Sequence, residues 1–220
     1  MDARTILERL DSGSIPVSLH EAEQLALYHE LLLDWNTRMD LTAVTEDSEM
    51  LDKHYVDSLM PLSQPGLLPV AGSVIDVGTG AGFPGALLAI ADPDKEFVLL
   101  DSTLKRLRVI DEFAASLDAD NISTVHARAE EIQKDPEFKE AFDLCVSRAV
   151  ASLDKLAGWC LPFIKPGGTF VAYKGGNYQE ELKLADKSLR KFRGKLDRVV
   201  HVGSEADDIS GHVLLVISKR

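Results

Sequence analysis

The sequence predicts an α/β fold: a mostly parallel sheet with helices on both faces and an antiparallel C-terminal edge, preceded by a small N-terminal helical region. Three observations predict it. From Ser73 onward, short apolar runs alternate with helical patterns, as parallel strands joined by crossover helices do. Before that, the first 60 residues carry helical periodicity only. At the end, two strand-like runs follow each other with no helix between them, as in an antiparallel pair.

A short helix around Ile6, Leu7 and Leu10 closes at Gly13. The next starts at Ser18-Leu-His-Glu21, a capping box in which the Ser and Glu side chains each cover a free backbone N–H. Leu25, Tyr28, Leu32 and Trp35, with Ala22, His29 and Leu33 beside them, share one face of it. A third helix is expected through Glu49–Met60, and the prolines and glycine of Pro61–Pro69 read as a linker. The expected division is therefore a helical region over 1–64 and an α/β domain over 65–220. Strands Val74–Val77, Phe97–Leu100, Ser123–His126, Leu144–Ser147 and Thr169–Tyr173 lead in turn to helices at Leu87–Ala91, Leu104–Leu117, Glu130–Gln133, Leu153–Phe163 and Tyr178–Phe192. Arg198–Val202 and His212–Lys219, around a polar loop containing Gly211, form the antiparallel edge.

With 45% hydrophobic and 27% charged residues, 220 residues suffice for one α/β domain and are too apolar for disorder. No run of about 18 apolar residues could span a membrane. The N-terminus lacks the apolar segment of a secretory signal, so a cytoplasmic protein is expected. Cys145 and Cys160 have no metal-type spacing and read as free buried thiols; no metal is expected. The net charge of −12 argues against nonspecific nucleic-acid binding, and thirteen acids against four bases in the first 60 residues supply most of it. Against that background Lys187–Arg198 carries six bases and one acid, and Lys105, Arg106 and Arg108 cluster on another helix. Both are candidate phosphate contacts, the alternative being solvated helix faces.

The stretch VIDVGTGAGFPG (Val74–Gly85) runs an apolar strand into four glycines. Gly80, Gly82 and Gly85 fit the dinucleotide fingerprint, whereas Gly78, Gly80 and Gly82 spell G-x-G-x-G. Asp76 separates the two. Its carboxylate is expected at the rim of the loop, where it would repel a pyrophosphate and attract the ammonium and sulfonium of S-adenosylmethionine. Asp101, at the end of the second strand, is placed to accept hydrogen bonds from both ribose hydroxyls, a device that nicotinamide enzymes share. The alternative for Asp101 is an exposed acid before a helix capped by Ser102. Pro84 suits a first helical position.

Five blocks in order carry a resemblance that covers nearly the whole chain: MDLTAVTEDSEMLDKHYVDSL (Met39–Leu59), VIDVGTGAGFPG, HARAEE (His126–Glu131), DLCVSRAVASLDKL (Asp143–Leu156) and KPGGTFVAYKG (Lys165–Gly175). In these the chain resembles the bacterial 16S rRNA guanine-N7 methyltransferases, the glucose-inhibited division protein B family. It departs at Ala86-Leu87, where Ile-Pro is expected. The resemblance implies a Rossmann-like class I methyltransferase fold, S-adenosylmethionine as cofactor and the small ribosomal subunit or its 16S rRNA as substrate. It places Gly78 and Phe83 in the cofactor loop with Gly80 and Gly82 beside them, Asp101 on the ribose, and Ala129 and Glu130 at the adenine. It places Arg148 in the cofactor pocket or against the target, and Lys174 near the reacting centre. Local readings stand beside these: a salt bridge for Arg148, a solvated strand end for Lys174, and a first-turn acid favoured by the helix dipole for Glu130.

His54, Asp57 and Ser58 lie on one face of one helix, which suits a packing cluster between the helical region and the sheet better than a hydrolytic triad; no nucleophile elbow is present. Guanine N7 offers an in-plane lone pair and needs no general base, so the expected task is alignment, with Phe83 a candidate wall for an unstacked base. A monomer is expected. Three other readings remain open at this point: a methyltransferase of the same fold acting on a protein or small molecule, a nicotinamide oxidoreductase, and a non-catalytic cofactor-binding regulator.

Overall fold

A computed structural model describes residues 1–69, 72–202 and 211–220. The strands β1 (Ser73–Val77), β2 (Glu96–Asp101), β3 (Ile122–His126), β4 (Phe142–Arg148), β5 (Ile164–Lys174), β6 (Gly194–His201) and β7 (Val213–Lys219) form one sheet in the order β3-β2-β1-β4-β5-β7-β6. The first five run parallel, and β7 is antiparallel to both β5 and β6. Each strand falls within a few residues of its expected place, and the antiparallel edge is as the missing helix predicts. Of the polar loop between β6 and β7, residues 203–210 lie outside the described residues.

Helices cover both faces because alternate strand residues are apolar on both. Val74, Leu99, Leu144 and Val171 join a cluster with α1 (Ala3–Ser12), α2 (Leu19–Asn36), α5 (Gly85–Ala91) and α6 (Leu104–Ser116). Ile75, Val77, Cys145 and Ala172 join the opposite cluster with α8 (Leu153–Cys160) and α9 (Tyr178–Lys191). Cys145 and Cys160 are free and buried in it. The capping box at Ser18 forms with both of its bonds, and Ala22, Leu25, Tyr28, His29 and Leu32 are the buried face of α2. Ile6, Leu10 and Leu32 are fully buried in the same cluster as the sheet residues, so the helical region packs directly on the α/β unit.

The expected third helix is interrupted. α3 (Asp47–Met50) passes through a π-helical turn (Leu51–Val56) into α4 (Asp57–Leu59) and a 3-10 turn (Met60–Ser63) that takes up the start of the expected linker. A π turn widens the helix by one residue and re-aims the side chains around it, and such turns concentrate at functional sites. His54 stands within it and Asp57 directly after it.

Candidate active site

The strand order reverses at β1, which has β2 on one side and β4 on the other, so the loops after these strands diverge and leave a crevice at their carboxyl ends. Two cavities occupy it. The first, about 370 Å³, is lined by Gly78 after β1, Asp101 at the end of β2, Ala129 and Glu130 of the short helix α7 (Ala129–Ile132), Ala149 after β4, and Trp159 of α8. The second, about 430 Å³, shares Ala149 with the first and is lined by Arg148, Tyr173, Lys174, Glu181 and, from the helical segment, His54 and Asp57. Ala149 between them has φ of 56°, a left-handed conformation uncommon for a residue with a side chain.

The glycine loop is held from three sides. Gly78 has φ of 77°, and a Cβ there would lie 2.4 Å from Val150 Cγ2. Gly82 has φ of 94°, and a Cβ there would lie 2.2 Å from the Tyr28 hydroxyl. That hydroxyl donates to the carbonyl of Ala81. Gly80 N–H donates to Asp101 Oδ2 at 3.0 Å, and Thr103 N–H donates to Asp101 Oδ1 at 2.7 Å. Asp101, not Ser102, therefore orders the entry to α6; Thr103 stands at the cap position without a side-chain bond. Each Asp101 oxygen keeps a lone pair for a further donor on the cavity side.

Two expectations about this loop are corrected. Asp76 is not an anionic rim. Strand alternation turns its side chain, like that of Val74, to the face covered by α5, where it is fully buried and Oδ2 accepts from Gly85 N–H at 2.9 Å. Burial pushes its carboxyl up to about 7, and among the described residues Oδ1 has no hydrogen-bond partner. Phe83 is not an open wall either. It is 6% exposed, His54 stacks on it at 4.5 Å between centroids and 10° between planes, and Arg148 Cζ lies 5.2 Å from its centre.

Arg148 leaves the end of β4 and reaches the helical segment. Nη1 donates to Asp57 Oδ2 at 2.8 Å and to the Lys53 carbonyl at 2.9 Å; Nη2 meets His54 Nδ1 at 2.9 Å. A guanidinium only donates, so His54 Nδ1 is the acceptor and its proton is on Nε2, which faces Thr42 Oγ1 at 3.0 Å. Burial, then the Arg148 charge, lower the His54 pKa to about 4, consistent with a neutral ring. His212 Nδ1 lies 3.3 Å from Asp57 Oδ1, and Tyr173 OH donates to the Ser58 carbonyl at 2.8 Å. Burial raises the Asp57 carboxyl, but bonds from His212 and Arg148 outweigh it and hold the group low. Of the expected packing cluster, His54 and Asp57 meet on Arg148, whereas Ser58 joins only through its backbone carbonyl, its hydroxyl having no partner among the described residues. Lys174 is not a solvated strand end: 8% of its side chain is exposed, and Nζ bonds the Ala151 carbonyl at 2.6 Å and Glu181 Oε2 at 2.7 Å.

Of the residues singled out from sequence, Gly78, Asp101, Ala129, Glu130 and Arg106 of the second basic cluster meet at the first cavity, and Arg148 and Lys174 meet at the second. Gly80 and Gly82 shape the loop between Asp101 and Tyr28. Tyr28, Trp159, Glu181 and His212 were missed; in sequence they are unremarkable members of helix faces or a strand start. The basic stretch is not brought to the site. β6 begins at Gly194 beside Lys219, whereas the site end of β7 is Val213, beside Lys174, so the start of β6 lies at the end of the sheet away from the site, and Arg198 pairs with Val216 between the two ends. Arg190 and Arg193 there pair with Asp186 and Glu140.

The residues present fit S-adenosylmethionine. The first cavity combines a ribose-type acceptor at Asp101, a bare backbone at Gly78 and the apolar walls of Val77, Leu100 and Trp159. Among the described residues no group of three or more His, Cys, Asp or Glu side chains could hold a metal ion, and no helix is long and apolar enough to cross a membrane.

Comparison with known proteins agrees in kind. Residues 21–210 match the family described as rRNA small subunit methyltransferase G. The chain is 45% identical over 89% of its length to a protein of Clostridium novyi (strain NT) named ribosomal RNA small subunit methyltransferase G, covering 80% of that protein. To one of the same name from Alkaliphilus oremlandii (strain OhILAs) it is 40% identical over 98% of its length, covering 90% of the relative. Among solved structures, M. jannaschii TYW2 in complex with AdoMet shares the fold, with a TM-score of 0.53 at 17% identity over 68% of this chain and 70% of that one.

Proposed function

Because the chain belongs to the rRNA small subunit methyltransferase G family, we propose that it transfers a methyl group from S-adenosylmethionine to N7 of a guanine in 16S rRNA. The observation that carries the reading is the pairing of two adjoining cavities at the carboxyl ends of the strands, one built for an adenosine and the other open beside it.

When bound, S-adenosylmethionine supplies an electrophilic methyl group on a sulfonium. In this reading Asp101 accepts from the ribose hydroxyls, Ala129, Glu130 and Trp159 border the adenine, and Gly78, Gly80 and Gly82 let the loop backbone approach the ligand. Asp76 and Phe83 act through the loop, Asp76 by fixing the Gly85 turn and Phe83 by carrying His54 and Arg148. The target base enters the second cavity, where Arg148 and Lys174 form its walls. N7 accepts a methyl without losing a proton, so no base is assigned; holding the reactants aligned can supply roughly 7–11 kcal/mol of the barrier. Residues 1–64 serve as a helical cover, whose His54 and Asp57 position Arg148, and 65–220 as the methyl-transfer unit. The chain acts as a monomer in the cytoplasm.

The test is transfer of labelled methyl from S-adenosylmethionine to small ribosomal subunits, naked 16S rRNA, free nucleosides and total protein. Label in 16S rRNA, on particle or naked RNA, supports the reading. Label confined to protein or a small molecule, or in none of the four, overturns it.

A further inference from the structure

Two carboxylates line the second cavity, Asp57 and Glu181. Glu181, in the first turn of α9, sends Oε2 to two donors: Lys174 Nζ at 2.7 Å and Leu153 N–H, at the start of α8, at 2.8 Å. Lys174 is itself held by the Ala151 carbonyl. The side chain is thus braced from β5 and α8 together, and 29% of it is exposed. Its hydrogen bonds among the described residues all fall on Oε2. Oε1 is left to accept, on a lining that also includes Val44, Ala149 and Tyr173.

We propose that Glu181 reads the Watson–Crick edge of the target purine and selects guanine over adenine. This rests on the guanine-N7 reading above. An unstacked base is read through hydrogen bonds to that edge. Guanine offers two donors there, N1–H and the 2-amino group, and an ionised carboxylate only accepts. Adenine offers an acceptor at N1, which would face Glu181 unpaired. N7 lies across the ring from this edge, so a guanine held by Glu181 keeps N7 clear of it. Methylation at N7 also leaves the purine cationic and makes N1–H a stronger donor. A carboxylate on that edge then binds the developing product more tightly than the ground state, the condition for a contact to raise rate.

The competing explanation is that Glu181 only braces Lys174. Small subunits assembled with inosine at the target position separate the two, because inosine keeps N1–H and N7 but lacks the 2-amino donor. The wild type is expected to methylate the inosine particle about tenfold or more slowly in kcat/KM than the guanosine particle, the loss of a hydrogen bond to a charged acceptor. Glu181→Gln retains an oxygen for Leu153 N–H and Lys174. It is expected to bind S-adenosylmethionine with wild-type affinity, to be slower on guanosine particles, and to show an inosine penalty of about twofold or less. Equal penalties in the two proteins overturn the assignment. So does a wild type indifferent to inosine, a result that needs no variant. A wild type that leaves guanosine particles unmethylated would instead remove the guanine reading itself, and this proposal with it.

Discussion

Arg148 at the end of β4 and Asp57 on the helical segment stand 2.8 Å apart with only 12% and 4% of their side chains exposed. This ion pair joins the end of β4, next to the Ala149 that the two cavities share, to the start of α4, directly after the π-helical turn. A buried pair is a poor source of net stability, yet removing one partner strands the other charge in a low-dielectric site. Asp57→Ala is expected to lower unfolding free energy by about 3–5 kcal/mol in denaturant titrations. Unchanged stability would mean that water or a neighbour already satisfies Arg148.

Arg148→Ala should reduce methyl transfer while leaving S-adenosylmethionine affinity close to wild type, because Arg148 lines the second cavity and not the first. Kinetics with small subunits, alongside calorimetry for the cofactor, separate the two effects. An unchanged transfer rate would take Arg148 out of the target site.

Asp101→Ala should weaken S-adenosylmethionine binding by about tenfold or more, since a charged acceptor for ribose hydroxyls is lost together with the Gly80 N–H partner. Asp76→Ala should weaken it as well, through the Gly85 turn and not through direct contact. Calorimetry with the cofactor, and with NADH as control, is the check. Wild-type affinity in both variants would remove the assignment.

Tyr28→Phe keeps the ring packing on Phe83 and Phe113 but deletes the hydroxyl that donates to Ala81. The expected loss is about 0.5–1.5 kcal/mol of stability, with a cofactor dissociation constant several times higher. A fall in stability with unchanged cofactor affinity would show that the loop keeps its shape without this bond.

Two groups, half-buried His54 and fully buried Asp76, set opposite pH dependences. His54 falls from 6.5 to about 4 on folding, so the unfolded chain takes the proton first; its contribution is complete above about pH 6.5 and is lost as pH falls toward 4. Asp76 rises from 3.8 to about 7, so the folded chain holds the proton; its contribution is complete below 3.8 and is lost as pH rises through 7. Between pH 4 and 6.5 the two oppose each other. Asp76→Asn should therefore make stability rise more steeply with pH than in the wild type, and His54→Gln should make it rise less or fall. Parallel curves for all three proteins would contradict both assignments.

The strands and the capping box were legible in the sequence because each depends on residues close along the chain. Gly78 and Asp101 end adjacent parallel strands, so their meeting follows from the alternation alone. The direction of the Asp76 side chain was misread because a motif gives a residue's place on the strand, whereas burial beneath α5 decides which way it faces. Phe83 was misread for the same reason: its cover is His54, from a segment with no local link to the loop. Asp57 and Arg148 are 91 residues apart, and Tyr28 and Ala81 are 53 apart. No periodicity reports such contacts. The π turn was invisible too, since its residues read as ordinary helix.

The most direct measurement maps the modified nucleotide in 16S rRNA after small subunits have been incubated with this protein and S-adenosylmethionine. The expected product is 7-methylguanosine at a single position, formed about tenfold or more slowly at limiting S-adenosylmethionine when Asp101→Ala replaces the wild type. Methylation at any other atom or base, or the same product from the variant at the wild-type rate, would contradict it.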